Sequence, residues 1–256
     1  MFYSSREHKS MIDTHAHLAD PSFDKDLDDV VARARNAGVT ACIVVGELPG
    51  ESDKIRAIEK RYPGWAFGGL GIFPSSYAPE DVEAFRRLSE QKWVCFGEVG
   101  MDTWLVQDEE ERLRDESLFL SIVERAKSLD IPVNVHSRNC GKRVIELLIA
   151  SGHSRVHLHA FDAKPSTIRL GIEAGFYFSV PASIVHSPQK QKLARLVPVE
   201  QMLFETDAPV LGPDRASRNE PANIRLALHA VAELRDMDPV ELETITDANA
   251  RKLYKL

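Results

Sequence analysis

In Met11-Ile12-Asp13-Thr14-His15-Ala16-His17-Leu18, an apolar, β-prone start runs directly into a His-Ala-His triplet. An open dinucleotide-binding sheet would place a glycine-rich phosphate turn at that point, and this chain has none there. Strand residues alternate faces, so His15 and His17 point the same way, toward the interior and near the strand's carboxyl end. Two imidazoles so placed can share one metal ion. A pair of hydrogen-bonded core histidines is the alternative, and it is weaker for two residues on one interior face than for one.

Seven more β-rich apolar runs follow, over residues 40–46, 65–72, 93–100, 132–137, 155–161, 176–182 and 202–208. Segments with helical periodicity and charged outer faces alternate with them, over 26–36, 51–61, 80–91, 109–128, 142–150, 165–174, 189–196 and 221–234. In Asn36-Ala37-Gly38 and Glu173-Ala174-Gly175 a glycine stands just past a helix end, where the left-handed conformation costs it little. The Gly68-Gly69-Leu70-Gly71 run falls inside the third strand, so it is not a phosphate turn. Eight strand-helix units in 256 residues predict the α/β class and a single (β/α)8 TIM barrel, with the doubly wound sheet as the competing fold. A further amphipathic stretch, 239–253, is an extra C-terminal helix expected on the barrel exterior. Without internal repeats or a linker, one domain over residues 1–256 is the simplest organisation.

Composition narrows the function. The chain carries 32 basic and 39 acidic side chains, a formal charge of −7, which disfavours a broad cationic face for duplex nucleic acid. No run approaches the ~20 apolar residues of a membrane helix. The first ten residues, MFYSSREHKS, lack an apolar signal core, and cytoplasmic location is the expectation. Cys42, Cys95 and Cys140 are odd in number and far apart, which excludes a disulfide framework and a structural zinc clip.

The other strands end as the first does. Glu98 closes the fourth, His136 the fifth, His159 the sixth and Asp207 the eighth, all at the carboxyl end where barrel active sites are built. Inward lysine or arginine is nearly absent from these strands, so divalent cations are the expected neutralising partners. Two ions bridged by one carboxylate need about four to six protein ligands, a count that His15, His17, Glu98, His136, His159 and Asp207 meet. His157, one pleat deeper, reads as a supporting or core histidine. Glu205 reads as a carboxylate that orients a ligating imidazole, and Asp13 has the same standing. His8, His153, His186 and His229 fall in the tail, loops or helices and are expected to be solvated. Arg138 and Arg218 lie in loops that open onto the same rim and could grip phosphate oxygens, unless solvated or paired with local acids. No base neighbours a cysteine in sequence, and no G-x-S-x-G is present, so nucleophilic catalysis by thiol or serine is not expected.

Six segments in order, Ile12-Asp13-Thr14-His15-Ala16-His17-Leu18, Gly97-Glu98-Val99-Gly100-Met101-Asp102, His136-Ser137-Arg138, His159-Ala160-Phe161, Glu205-Thr206-Asp207-Ala208-Pro209 and Arg218-Asn219-Glu220-Pro221, resemble the TatD family of metal-dependent hydrolases. The resemblance spans nearly the whole chain. It implies an amidohydrolase-type barrel, a two-metal centre and hydrolysis of DNA phosphodiesters. It implies that His15, His17, Glu98 and Asp207 hold one metal, and that Glu98, His136 and His159 hold the other. Glu98 and Asp207 are the expected catalytic residues, Asp207 also as proton acceptor for an attacking, metal-activated water. The metals are Zn, Mn, Mg or Fe, which a His/carboxylate site does not distinguish. Strand ends or single strands are the expected substrate. The chain departs from the pattern at Gly71-Ile72-Phe73-Pro74, where the family commonly has Gly-x-His-Pro, and at His159-Ala160-Phe161, commonly His-Cys-Phe. Phe73 cannot donate a hydrogen bond, so hydrolysis of a small amide, ester or lactone is an alternative, and a non-catalytic metal-binding barrel a third.

Overall fold

A computed structural model describes residues 10–74, 77–214 and 216–256; His8 and Arg215 lie outside the described residues. Eight parallel strands form one sheet in sequential order: β1 (Met11–Ala16), β2 (Val39–Val44), β3 (Ala66–Leu70), β4 (Cys95–Asp102), β5 (Val133–Arg138), β6 (Val156–Leu158), β7 (Tyr177–Val180) and β8 (Met202–Phe204). A parallel bridge between Ala16 and Ala208 brings the last strand to the first. Around it lie α1 (Leu27–Asn36), α2 (Ser52–Arg61), α3 (Pro79–Leu88), α4 (Glu109–Leu129), α5 (Gly141–Ser151), α6 (Pro165–Glu173), α7 (Pro188–Leu196) and α8 (Ile224–Arg235). This is the TIM barrel that the alternation predicts. No described helix is long and apolar enough to cross a membrane.

Local chemistry sets the element ends. Gly38 and Gly175 have φ of +89° and +79°, the left-handed turn after α1 and α6. Asp108 caps α4 by accepting from the Glu111 amide. Outward strand residues such as Val44, Phe96, Val135, Leu158, Phe178 and Phe204 pack with Val30, Ile55, Phe119, Val144, Ile168 and Leu193 of the helices in one apolar layer.

Two expectations need correction. The strands over 155–161 and 202–208 stop early, at Leu158 and Phe204, because Ala160 and Asp207 take positive φ (40° and 56°) and turn the chain out of the ladder. His159, Glu205 and Asp207 therefore stand on loops just beyond strand ends. The C-terminal helix α9 (Pro239–Tyr254) does not sit on the exterior. Its Ala250, Leu253 and Tyr254 join Ile12, Ala41, Ile43, Cys95, Tyr177 and Leu203 in a separate apolar cluster that fills the amino end of the barrel. That end would otherwise expose the lowest interior layer to water.

Candidate metal centre

The seam that closes the barrel also builds the site. The Asp207 amide donates to the His15 carbonyl at 2.9 Å and the His17 amide to the Ala208 carbonyl at 2.7 Å, which sets Asp207 beside the two histidines. Asp13 holds the same seam from below: it accepts from the Thr206 amide at 2.9 Å and the Thr206 hydroxyl at 2.6 Å. β4 adds Glu98, β5 adds His136, and the loop after β6 adds His159.

These six side chains converge at the carboxyl rim. The two Nε2 atoms of His15 and His17 are 3.0 Å apart. Glu98 Oε2 lies 3.6 Å from the first and 3.3 Å from the second. Asp207 Oδ1 lies 3.4 Å from each. A cation with four ligands at ordinary zinc bond lengths has donor-donor edges of about 3.4 Å, so these five spacings fit one divalent ion. The other oxygen of Glu98, Oε1, lies 2.8 Å from His136 Nδ1 and 3.3 Å from His159 Nε2. One carboxylate thus faces two groups of nitrogen donors.

Three of the four imidazoles have their outer nitrogen held as a ligating imidazole requires, while His17 Nδ1 has no partner among the described residues. Asn134 Oδ1 is 2.9 Å from His15 Nδ1, Asp102 Oδ2 is 2.9 Å from His136 Nε2, and Glu205 Oε2 is 3.2 Å from His159 Nδ1. Each contact holds an N–H on the outer nitrogen, so the inward nitrogen is the one that can ligate once its own proton is displaced. The sequence reading missed Asp102 and Asn134. Asn134 stands two residues before His136 on the same face, which is the one signal it offered. His157 lies deeper, its Nδ1 2.7 Å from the Tyr254 hydroxyl, and burial lowers its pKa to about 3, so it is neutral.

Charge is concentrated here. Burial opposes charge on His17 and His136, but the carboxylates of Asp207 and Glu98 around the first, and of Asp102 and Glu98 around the second, raise both pKa values to about 9. Burial alone would raise the Glu98 carboxyl; the imidazoles of His159, His136 and His15 hold it well below the usual range instead. The bare donors therefore carry protons at neutral pH that an incoming cation displaces. Loading metal-free protein is expected to release more than one proton per chain and to tighten as pH rises toward about 9. Calorimetry in buffers of different ionisation heat measures this, and proton-neutral binding contradicts these ligand atoms.

The donors open into a cleft of about 240 Å³, whose walls also include Asp20, Glu47, Glu51 and Phe73. The Phe73 ring packs edge-on to the His136 ring at 4.7 Å. A groove of about 670 Å³ between α3 and α4 is larger but holds none of the six donors. Neither arginine lines the metal cleft, and Arg138, expected in a loop, is the last residue of β5, where the ladder to β4 runs on to Asp102. The Arg138 guanidinium lies 3.7 Å over the Trp104 ring. Arg218 is paired with Asp26 at 2.6 Å and 2.9 Å and packs over Phe23. His153, expected to be solvated, is buried, whereas His186 and His229 are exposed.

A family model described as TatD related DNase matches residues 12–255. The chain belongs to that family. Among its TatD relatives, human deoxyribonuclease TATDN3 is 36% identical over 258 residues, covering 95% of this chain and 94% of the relative. The 3'-5' ssDNA/RNA exonuclease TatD of Salmonella typhimurium is 32% identical, covering 96% and 99%. The crystal structure of YJJV, a TatD homolog from Escherichia coli, superposes with a TM-score of 0.88 at 24% identity, covering 96% of this chain and 98% of that one.

Proposed function

We propose that this TatD-family chain is a divalent-metal-dependent hydrolase that cleaves DNA phosphodiester bonds, with two cations held at the carboxyl rim. The observation that carries this reading is Glu98, whose two oxygens face separate donor groups. His15, His17, Glu98 and Asp207 would hold one ion, and Glu98, His136 and His159 the other. When bound, the ions polarise a phosphoryl oxygen and lower the pKa of water.

The chain's own residues do the rest. Glu98 fixes the two donor groups against each other. Asp207 is kept ionised, against its burial, by His159, His15 and His17, and it is the carboxylate proposed to take the proton of the attacking water. Phe73 walls one side of the cleft and excludes water beside His136 without offering a hydrogen bond. The narrow cleft with its acidic lip, and the acidic chain as a whole, favour strand ends or single strands over duplex. Arg138, at the end of β5 and stacked on Trp104, is the arginine left to touch such a strand. Arg218 is already paired with Asp26 and would have to release it. Three unpaired cysteines suit a reducing compartment, and the cytoplasm is the proposed location.

Phe73 keeps a second reading open, hydrolysis of a small amide, ester or lactone at the same donors. Labelled DNA, bis-p-nitrophenyl phosphate and N-acyl substrates are therefore assayed together, before and after chelation and with single ions added back. Phosphodiester cleavage is expected to vanish on chelation and return with at least one of Zn, Mn, Mg or Fe. Turnover of N-acyl substrates alone overturns the nuclease reading.

A further inference from the structure

A second cleft, of about 510 Å³, adjoins the metal cleft and shares Pro209 and Val210 with it. Its walls come from the turn after β7, the start of α7 and the loop after β8, and include Ser183, His186, Lys190 and Asp214. Two polar groups here lack what their burial demands. Lys190 is 8% exposed, yet its ammonium has one described hydrogen bond, to the Ala160 carbonyl, and no described carboxylate within ion-pair distance. An ammonium has three donors, and leaving them unmatched in a buried site is costly. Ser183 is 4% exposed, and its hydroxyl has no partner among the described residues.

The surroundings favour an anion as the missing partner. The first turn of α7 carries no acidic side chain and is capped by the neutral Ser187 hydroxyl, which accepts from the Lys190 amide at 3.4 Å, so the positive end of that helix meets no negative charge. The one carboxylate on the wall, Asp214, is already engaged by the Ala216 amide and the Ser217 hydroxyl, both at 2.9 Å. Burial lowers the Lys190 pKa, while Glu205, Asp162 and Asp207 oppose that from a distance. An anion in contact would restore the charged form. Along the path between the clefts, Val210 and Leu211 are exposed apolar residues against which a sugar can pack.

We infer that this cleft is an anion subsite that seats a second phosphate of the substrate, next along the strand from the phosphate at the metal donors, with Lys190 and Ser183 as its contacts. The ligand's identity rests on the nuclease reading and narrows it to nucleotide chains with at least two phosphates.

The test is binding, by calorimetry on cation-loaded protein, of pdTp, which is thymidine with a phosphate on each sugar hydroxyl, against each thymidine monophosphate. The wild-type chain is expected to bind pdTp about tenfold tighter than either monophosphate. Lys190→Gln brings that ratio close to one, and Lys190→Arg retains most of it. Ser183→Ala lowers it about threefold and carries the test alone if Lys190→Gln does not fold. If Lys190 serves only to hold the Ala160 carbonyl, its loss weakens all three ligands together and leaves the ratio intact, which overturns the subsite. Equal binding of pdTp and the monophosphates by the wild type overturns it as well. A chain that keeps the pdTp advantage but cleaves no DNA retains the subsite and sinks the nuclease reading instead.

Discussion

Glu98→Ala is expected to lower kcat/KM for phosphodiester cleavage by at least ~1,000-fold, at or beyond the loss seen when a single transition-state donor is removed. The size follows from position. Glu98 is 3% exposed, with Oε2 facing His15 and His17 and Oε1 facing His136 and His159. Truncation takes a ligand from both donor groups at once, whereas loss of His17 or His136 takes one from one group. The barrel itself should survive, because β4 is held by backbone ladders to β3 and β5 that the side chain does not enter. The four imidazoles lose a shared anion, but each can shed a proton and become neutral. Purified Glu98→Ala is therefore expected to show a cooperative melt, a wild-type circular dichroism spectrum and lowered metal content by elemental analysis. Full turnover, or an unchanged metal content, would remove Glu98 from the centre of the site.

Much of this site is legible in the sequence because its residues are chemically conspicuous. A carboxylate or imidazole at the end of an apolar strand has no cheap place in a core, so its position within the run already points to the rim. The residues that hold those side chains in place are less conspicuous. Asp102 reaches His136, and Asn134 reaches His15 across the barrel, through contacts that depend on the register of β4 with β5 and on closure at Ala16 and Ala208. Periodicity reports neither. Arg218 shows the same limit from the other side. A loop arginine near a rim has the right chemistry for phosphate, and only the approach of α1's amino end brings Asp26 to it. The early ends of β6 and β8 come from the left-handed turns at Ala160, a type that gives no warning of positive φ, and at Asp207, a type that tolerates it but more often sits elsewhere.

The placement of α9 predicts the largest stability effect. Tyr254 is 3% exposed and its hydroxyl lies 2.7 Å from His157 Nδ1 and 3.1 Å from Asn134 Nδ2. His157 is neutral, and with its one N–H on Nε2, which faces Glu205 at 3.8 Å, the tyrosine donates to Nδ1 and accepts from Asn134. Tyr254→Ala opens a cavity among Ile12, Ile43, Cys95 and Leu203 and orphans both partners, and it is expected to cost ~3–5 kcal/mol. Tyr254→Phe keeps the ring and loses the hydroxyl, at about 1–3 kcal/mol. Denaturant unfolding with a shared slope measures the difference. The milder variant should also weaken metal binding slightly, because Asn134 donates from one end of its amide to Tyr254 and presents the other end, Oδ1, to His15 Nδ1 at 2.9 Å. A Tyr254→Ala protein no less stable than Tyr254→Phe would mean that α9 does not plug the barrel, and the amino-terminal end would then need another seal.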